Sequence, residues 1–191
     1  MARLSVMMIQ GVFVDRDGVL NTHTPNGYVL SPAGLVILPG VAAAIKRLND
    51  IGVPVLVISN QQGVGKGVMS QDDLADIEET MRAELDREAG AHVDRYYYCT
   101  DLKEALSPRR KPEPGMLLEA AADFGLDLAS TIFIGDSPTD IAAGHAAKVG
   151  VTALVLSGGA RFYHDGLLEP APDFIFPDLP TAIEWILEQR A

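Results

Sequence analysis

Two short acidic segments carry the residues best suited to chemistry. The first, Asp15-Arg16-Asp17-Gly18-Val19-Leu20-Asn21, follows an apolar run and sets two carboxylates two residues apart. At an extended strand end, residues i and i+2 point the same way, so both carboxylates can converge on one reacting centre. One can attack a phosphorus and form an aspartyl phosphate while the other protonates the leaving oxygen. Gly18 lets the backbone turn sharply out of such a site. Taken alone, the same residues also read as a polar turn after a strand. The second segment, Ile132-Phe133-Ile134-Gly135-Asp136-Ser137-Pro138-Thr139-Asp140, ends an apolar run on one acid and places another four residues on. Clustered carboxylates are costly unless a hard cation neutralises them, and Mg²⁺ takes oxygen ligands of this kind together with water and phosphate. By itself this segment also reads as a helix start, with Asp136 or Ser137 as the cap and Asp140 in the first turn. Two acidic strand ends in one sheet favour a metal site.

Two further groups fit a phosphate. Ser59 follows a strand and can donate to a phosphoryl oxygen, and Lys111, within Arg109-Arg110-Lys111-Pro112-Glu113-Pro114-Gly115, can neutralise the same oxygens. Singly, Ser59 reads as a plain strand-end hydroxyl and the basic tripeptide as a solvated loop.

These residues need a frame that brings them to one edge. Apolar, β-branched runs at 9–14, 53–58, 93–99, 131–135 and 151–156 read as strands buried on both faces, with 173–176 as an edge strand. Helical patterns fall between them at 41–49, 70–89, 116–124, 138–147 and 180–190, with Ser70 and Asp73 as a capping pair for the second. Strands alternating with helices predict a doubly wound parallel sheet in a three-layer α/β/α arrangement, occupying 1–191 as one domain. Ligands in such sheets sit beyond the carboxyl ends of the strands, where strand order reverses. Asp15, Asp17, Ser59, Asn60, Asp136 and Asp140 all lie at those ends.

The composition narrows the partners. Fifteen Lys and Arg against 26 Asp and Glu give a formal charge of −11, which argues against nucleic acid or an anionic membrane but not against a small phosphorylated ligand. The longest apolar runs fall well short of the roughly 20 residues of a membrane span. Residues 1–10 lack a cleavage pattern. One cysteine, Cys99, excludes an internal disulfide and fits a reducing, cytoplasmic setting. A monomer is expected, or at most a weak homodimer.

Taken in order, Asp15-x-Asp17-Gly18-Val19, Ser59, Lys111 and Gly135-Asp136-x-x-x-Asp140 resemble the four motifs of the haloacid dehalogenase (HAD) superfamily of phosphotransferases, over about residues 9–160. Gly27-Tyr28, Leu38-Pro39-Gly40, Ser59-Asn60-Gln61-Gln62-Gly63 and Arg110-Lys111-Pro112-Glu113-Pro114-Gly115-Met116 are similar to the subfamily that contains heptose bisphosphate phosphatase and histidinol-phosphatase. The resemblance implies a phosphatase acting through an aspartyl phosphate, with Asp15 as nucleophile and Asp17 as general acid and then base. It implies Mg²⁺ held by the Asp15 carboxylate, the Asp17 carbonyl and Asp136, with Asp140 in support. Ser59 and Lys111 would bind the transferring phosphoryl group, and Asn60 and Arg110 the rest of the substrate. A sugar bisphosphate is the leading substrate class; histidinol phosphate hydrolysis and a non-catalytic phosphate-binding module are the alternatives. Only about 18–38 and 100–109 lie where the superfamily inserts cap domains, so a minimal cap or none is expected.

The chain departs from the subfamily at its zinc loop, which carries a Cys-x-His and a Cys-x-Cys pair. Here Cys99 stands with Asp101, Ser107 and Arg109, a poor donor set, so zinc is not expected. An ion-pair staple is expected instead, with Asp101 or Glu104 facing Arg109 or Arg110. Gly63-Val64-Gly65-Lys66-Gly67 fails as a nucleotide loop because Asn60 and Gly67 occupy positions that need Gly and Ser or Thr. Among the histidines, His23 follows the first motif and can reach substrate, whereas His145 reads as structural. Tyr96-Tyr97-Tyr98 reads as strand packing.

Overall fold

A computed structural model describes residues 9–24, 27–159 and 169–189. Six strands, β1 (Gly11–Val14), β2 (Val55–Asn60), β3 (Arg95–Cys99), β4 (Thr131–Gly135), β5 (Val151–Val155) and β6 (Phe174–Phe176), form one parallel sheet in the order β3-β2-β1-β4-β5-β6. The helices are α1 (Val41–Asp50), α2 (Gln62–Gly65), α3 (Gln71–Ala89), α4 (Gly115–Phe124), α5 (Pro138–Ala147) and α6 (Leu179–Gln189). Every expected strand and helix is present, with ends moved by one or two residues; residue 190 of the last expected helix lies outside the described residues. The four-residue α2 was not foreseen, because a Gly-rich quartet carries no periodicity.

Alternation along the strands explains both their apolar runs and the layering. Val12, Val14, Val55, Val57, Ile132 and Ile134 pack with α1, α3 and α6 on one face. Phe13, Leu56, Ile58 and Phe133 pack with α4 and α5 on the other. Neither face of the central strands meets water, so neither needs polar residues. Ser70 caps α3 as its spacing predicts, accepting from the Asp73 backbone N–H at 3.0 Å while Asp73 accepts from the Ser70 N–H at 2.7 Å.

Strand order reverses at β1, which lies between β2 and β4 with Val12 opposite Val55 and Ile132. The carboxyl ends of β1, β2 and β4 therefore open onto one edge. Among the described residues, the two segments where a cap would be inserted hold 3-10 turns at Pro32–Gly34 and Lys103–Ala105 and an isolated bridge of Asn21 with Ile37, but no helix or strand of their own. Among the described residues, no helix is long and apolar enough to cross a membrane.

Candidate active site

Asp15 leaves the end of β1, and Asp136 and Asp140 follow β4. One carboxylate oxygen from each lies within 4.8 Å of the others, and all three residues are buried. Lys111, itself buried, sets its Nζ 3.0 Å from Asp15 Oδ1 and 2.6 Å from Asp140 Oδ1, and donates to the Ile58 carbonyl at 2.7 Å. One cation thus pairs with two of the three acids. Burial raises the Asp15 carboxyl to about 6 against the pull of Lys111, and the neighbouring Asp140 and Asp17 add to the rise. Burial and the charges of Asp15 and Asp140 raise Asp136 to about 7. On Lys111 burial acts to release the proton, but Asp140 and Asp15 overcome it and hold the ammonium charged. A cluster with more acid than base is the electrostatic setting a divalent cation would relieve, and its oxygen donors suit Mg²⁺.

The backbone is shaped to let these acids meet. Asp136 lies between Gly18 (φ +88°) and Gly158, and a Cβ on either glycine would collide with Asp136 Oδ2. The Gly159 N–H donates to the same oxygen at 2.6 Å, and Ser157 Oγ donates to the Gly18 carbonyl at 2.7 Å, tying the loop after β5 to the loop after β1. Asp140 serves a second purpose: its Oδ2 accepts from the Asp136 N–H at 3.1 Å and the Ser137 N–H at 3.0 Å, closing the turn into α5. The helix-start reading and the cluster reading of this segment are thus both realised by one side chain.

Asp17 stands outside the three-acid cluster. Its carboxylate is paired with the Arg16 guanidinium at 3.0 Å and accepts from Asn21 Nδ2 at 2.9 Å and Gln61 Nε2 at 2.8 Å. Burial acts to raise this carboxyl, but Arg16 and the hydrogen bonds from Asn21 and Gln61 hold it below the usual carboxylate range. Ser59 is buried beside Asp15 and accepts from Gln61 Nε2 at 3.1 Å. Asn60 is turned to Lys111: its amide donates to the lysine carbonyl at 3.0 Å and accepts from the lysine N–H at 3.1 Å. Arg110, Lys111 and Asn60 line a cleft of about 550 Å³ with Lys103, Leu106 and Thr139. His23 Nδ1 lies at the rim, 3.9 Å from Asp136 Oδ2. Arg16 and Gln61, which the sequence reading left out, are fully buried at the centre.

Residues 108–182 match the HAD-hydrolase-like family model. The D-glycero-D-manno-heptose-1,7-bisphosphate 7-phosphatase of Thermosynechococcus vestitus is 38% identical, covering 94% of this chain and 96% of its own. A D-glycero-beta-D-manno-heptose-1,7-bisphosphate 7-phosphatase from Photorhabdus laumondii is 32% identical over 93% of this chain and 97% of its own. The crystal structure of the D,D-heptose 1,7-bisphosphate phosphatase of B. bronchiseptica, complexed with magnesium and phosphate, superposes with a TM-score of 0.87 at 31% identity, covering 94% of this chain and 99% of that one. The chain belongs to the HAD-like hydrolases. It is a phosphatase, a phosphoric monoester hydrolase of the α/β/α fold that its strand ends announced.

Within this HAD phosphatase, the loop after β3 is held differently from the expected staple. Arg109 pairs with Glu119 on α4, not with Asp101 or Glu104, and donates to the Tyr98 carbonyl at 3.1 Å. Arg110 donates to the main-chain carbonyl of Asp101 at 3.2 Å rather than to its carboxylate. Asp101 and Ser107 instead approach Cys99, whose Sγ lies 3.7 Å from Asp101 Oδ2 and 4.0 Å from Ser107 Oγ. Arg109 reaches Glu119 because Gly115 leaves no Cβ against the Pro108 carbonyl, bringing the loop down on the helix start. One thiol, one carboxylate and one hydroxyl beside a guanidinium make a polar cluster, not a soft-donor metal site.

Proposed function

We propose that this chain removes the 7-phosphate of a D-glycero-D-manno-heptose 1,7-bisphosphate, with Mg²⁺ as its cofactor. The observation that carries the reading is the meeting of Asp15, Asp136, Asp140 and Lys111 at the reversal of strand order. It is supported by a chain-long likeness to proteins named for that reaction. Asp15 attacks the phosphorus while Asp17 gives its proton to the sugar oxygen, so the P–O bond to the sugar breaks as the bond to Asp15 forms. A water then attacks the aspartyl phosphate and surrenders a proton to Asp17; the bond to Asp15 breaks and orthophosphate leaves. Arg16, Asn21 and Gln61 stabilise the Asp17 carboxylate that the first step leaves, ready to take the proton of the second. Lys111 and Ser59 hold the transferring group, and Asn60 acts by fixing the Lys111 peptide. Asp15, Asp136 and the Asp17 carbonyl, with Asp140 in support, would hold Mg²⁺, which would supply neutralisation of the phosphoryl charge. Arg110 faces the cleft in which the remainder of the sugar lies. The enzyme acts as a cytoplasmic monomer on a small molecule, not on nucleic acid or a membrane.

The test is phosphate release from the heptose bisphosphate, histidinol phosphate and p-nitrophenyl phosphate, with Mg²⁺ or excess chelator, for wild type and Asp15→Asn. The bisphosphate should be the best substrate, and Asp15→Asn or chelator should abolish release. Preference for histidinol phosphate would overturn the substrate, and no release from any ester would favour a binding module.

A further inference from the structure

We infer that Gln61 is a positioning residue that aims the proton-transferring carboxylate of Asp17 and ties it to the phosphoryl-binding hydroxyl of Ser59. Its side chain is fully buried between the two. Nε2 donates to Asp17 Oδ2 at 2.8 Å and to Ser59 Oγ at 3.1 Å, and Oε1 accepts from Arg16 Nη2 at 3.0 Å. The orientation of the amide is fixed by chemistry. Turned over, it would set an oxygen against the Asp17 carboxylate and an NH₂ against a guanidinium that can only donate. The backbone is fixed as well, since the Gln61 N–H donates to the Cys99 carbonyl at 2.7 Å, one step beyond the β2–β3 pairing of Asn60 with Cys99.

Two consequences follow for the reacting groups. Arg16 grips Asp17 through both Nε and Nη2, at 3.3 and 3.0–3.1 Å, and would draw the carboxylate toward the sheet interior if it acted alone. Gln61 bonds the same carboxylate from the side of Ser59, so Asp17 is triangulated by Arg16, Asn21 and Gln61. Ser59, accepting from Gln61, has its single O–H free to point away, toward Asp15 or a phosphoryl oxygen. A neutral amide can do this where a second cation would compete with Lys111 and a carboxylate would repel Asp17.

The inference rests on the phosphatase reading, so its test separates the two. Steady-state kinetics are measured on p-nitrophenyl phosphate, whose leaving group needs no proton, and on an alkyl sugar phosphate, whose leaving group does. Gln61→Met should weaken binding of both esters to a similar degree, through Ser59. It should lower kcat/KM, which reports the first transfer, on the sugar phosphate by roughly ten- to hundredfold more than on the aryl ester, part of the factor a general acid supplies; kcat falls on both, because Asp17 is the base of the second step they share. Added to Asp17→Asn it should cause no further selective loss, because the group it aims is gone. Gln61→Glu, similar in shape and still able to accept from Arg16, removes the same donor and should show the same bias even where Gln61→Met fails to fold. Equal kcat/KM losses on both esters, or none, while Asp17→Asn shows the bias, would overturn the role of Gln61 alone. A wild type inactive on both esters would overturn the phosphatase reading and this inference with it.

Discussion

Replacing Asp136 with Asn should make the metal-free protein more stable while removing its activity. Burial and the adjacent carboxylates raise Asp136 from 3.8 to about 7. Its folded-state value lies above its unfolded one, so its favourable contribution is complete below pH 4 and is lost as pH rises through 7. At about 1.4 kcal/mol per unit, ionising this group in the folded protein at pH 8 costs up to about 4 kcal/mol. Asp15 shares the same repulsion, so about 2 kcal/mol is the relief expected from neutralising one member. Asn keeps an oxygen to accept the Gly159 N–H, so the packing between Gly18 and Gly158 survives. For a chain of this size, about 2 kcal/mol corresponds to roughly 4–8 °C in Tm. Thermal melts in EDTA should show Asp136→Asn above wild type by that amount at pH 8 and level with it near pH 4. Added Mg²⁺ should raise the wild-type melt at pH 8 and leave the variant unmoved. A variant that melts at or below wild type in EDTA at pH 8 would refute the electrostatic argument, because the cluster would then be stable without a cation.

Lys111→Met should act in the opposite sense, leaving Asp15 and Asp140 buried without their counter-charge at a cost of about 3–5 kcal/mol; denaturant unfolding at pH 8 in EDTA checks it, and a loss under 1 kcal/mol would contradict the bridging geometry. Ca²⁺ should bind and inhibit, since its longer bonds and higher ligand number can draw both Asp15 oxygens from the line of attack; competition against Mg²⁺ in a phosphate-release assay reads this, and full activity in Ca²⁺ counts against the metal assignment. Elemental analysis after mild purification should find no stoichiometric zinc, and one zinc per chain lost on Cys99→Ser would restore a metal to the loop after β3.

The acids of the site were legible because each sits within a few residues of an apolar run, and the parallel sheet dictates which ends of those runs share an edge. What the sequence concealed lies in contacts between elements. Arg16 separates two conspicuous acids, and its long, charged side chain suggests solvent; only the fold shows it fully buried against Asp17 and Gln61. Gln61 carries no group that titrates, attacks or binds metal by habit, so residue type offered no signal. The Asn60 clamp joins residues 51 apart, and the Arg109–Glu119 pair crosses from a loop to α4. Local charge matching therefore chose Asp101 or Glu104 as the partner, and tertiary geometry chose Glu119.

The order of the strands separates what can change in this enzyme from what cannot. Asp15 and Asp136 hang from β1 and β4, flanked on both sides by other strands, where amide protons should exchange only with deep opening of the sheet. The loop carrying Leu102, Lys103 and Leu106 hangs from β3, one of the two edge strands, and is tied to the body through Arg109 and Cys99. Insertions, deletions or exchanged side chains in that loop disturb one neighbour rather than two. Over generations, substrate choice can drift at the sheet's margin while the hydrolytic centre stays fixed, so chemistry and taste in this lineage need not evolve together.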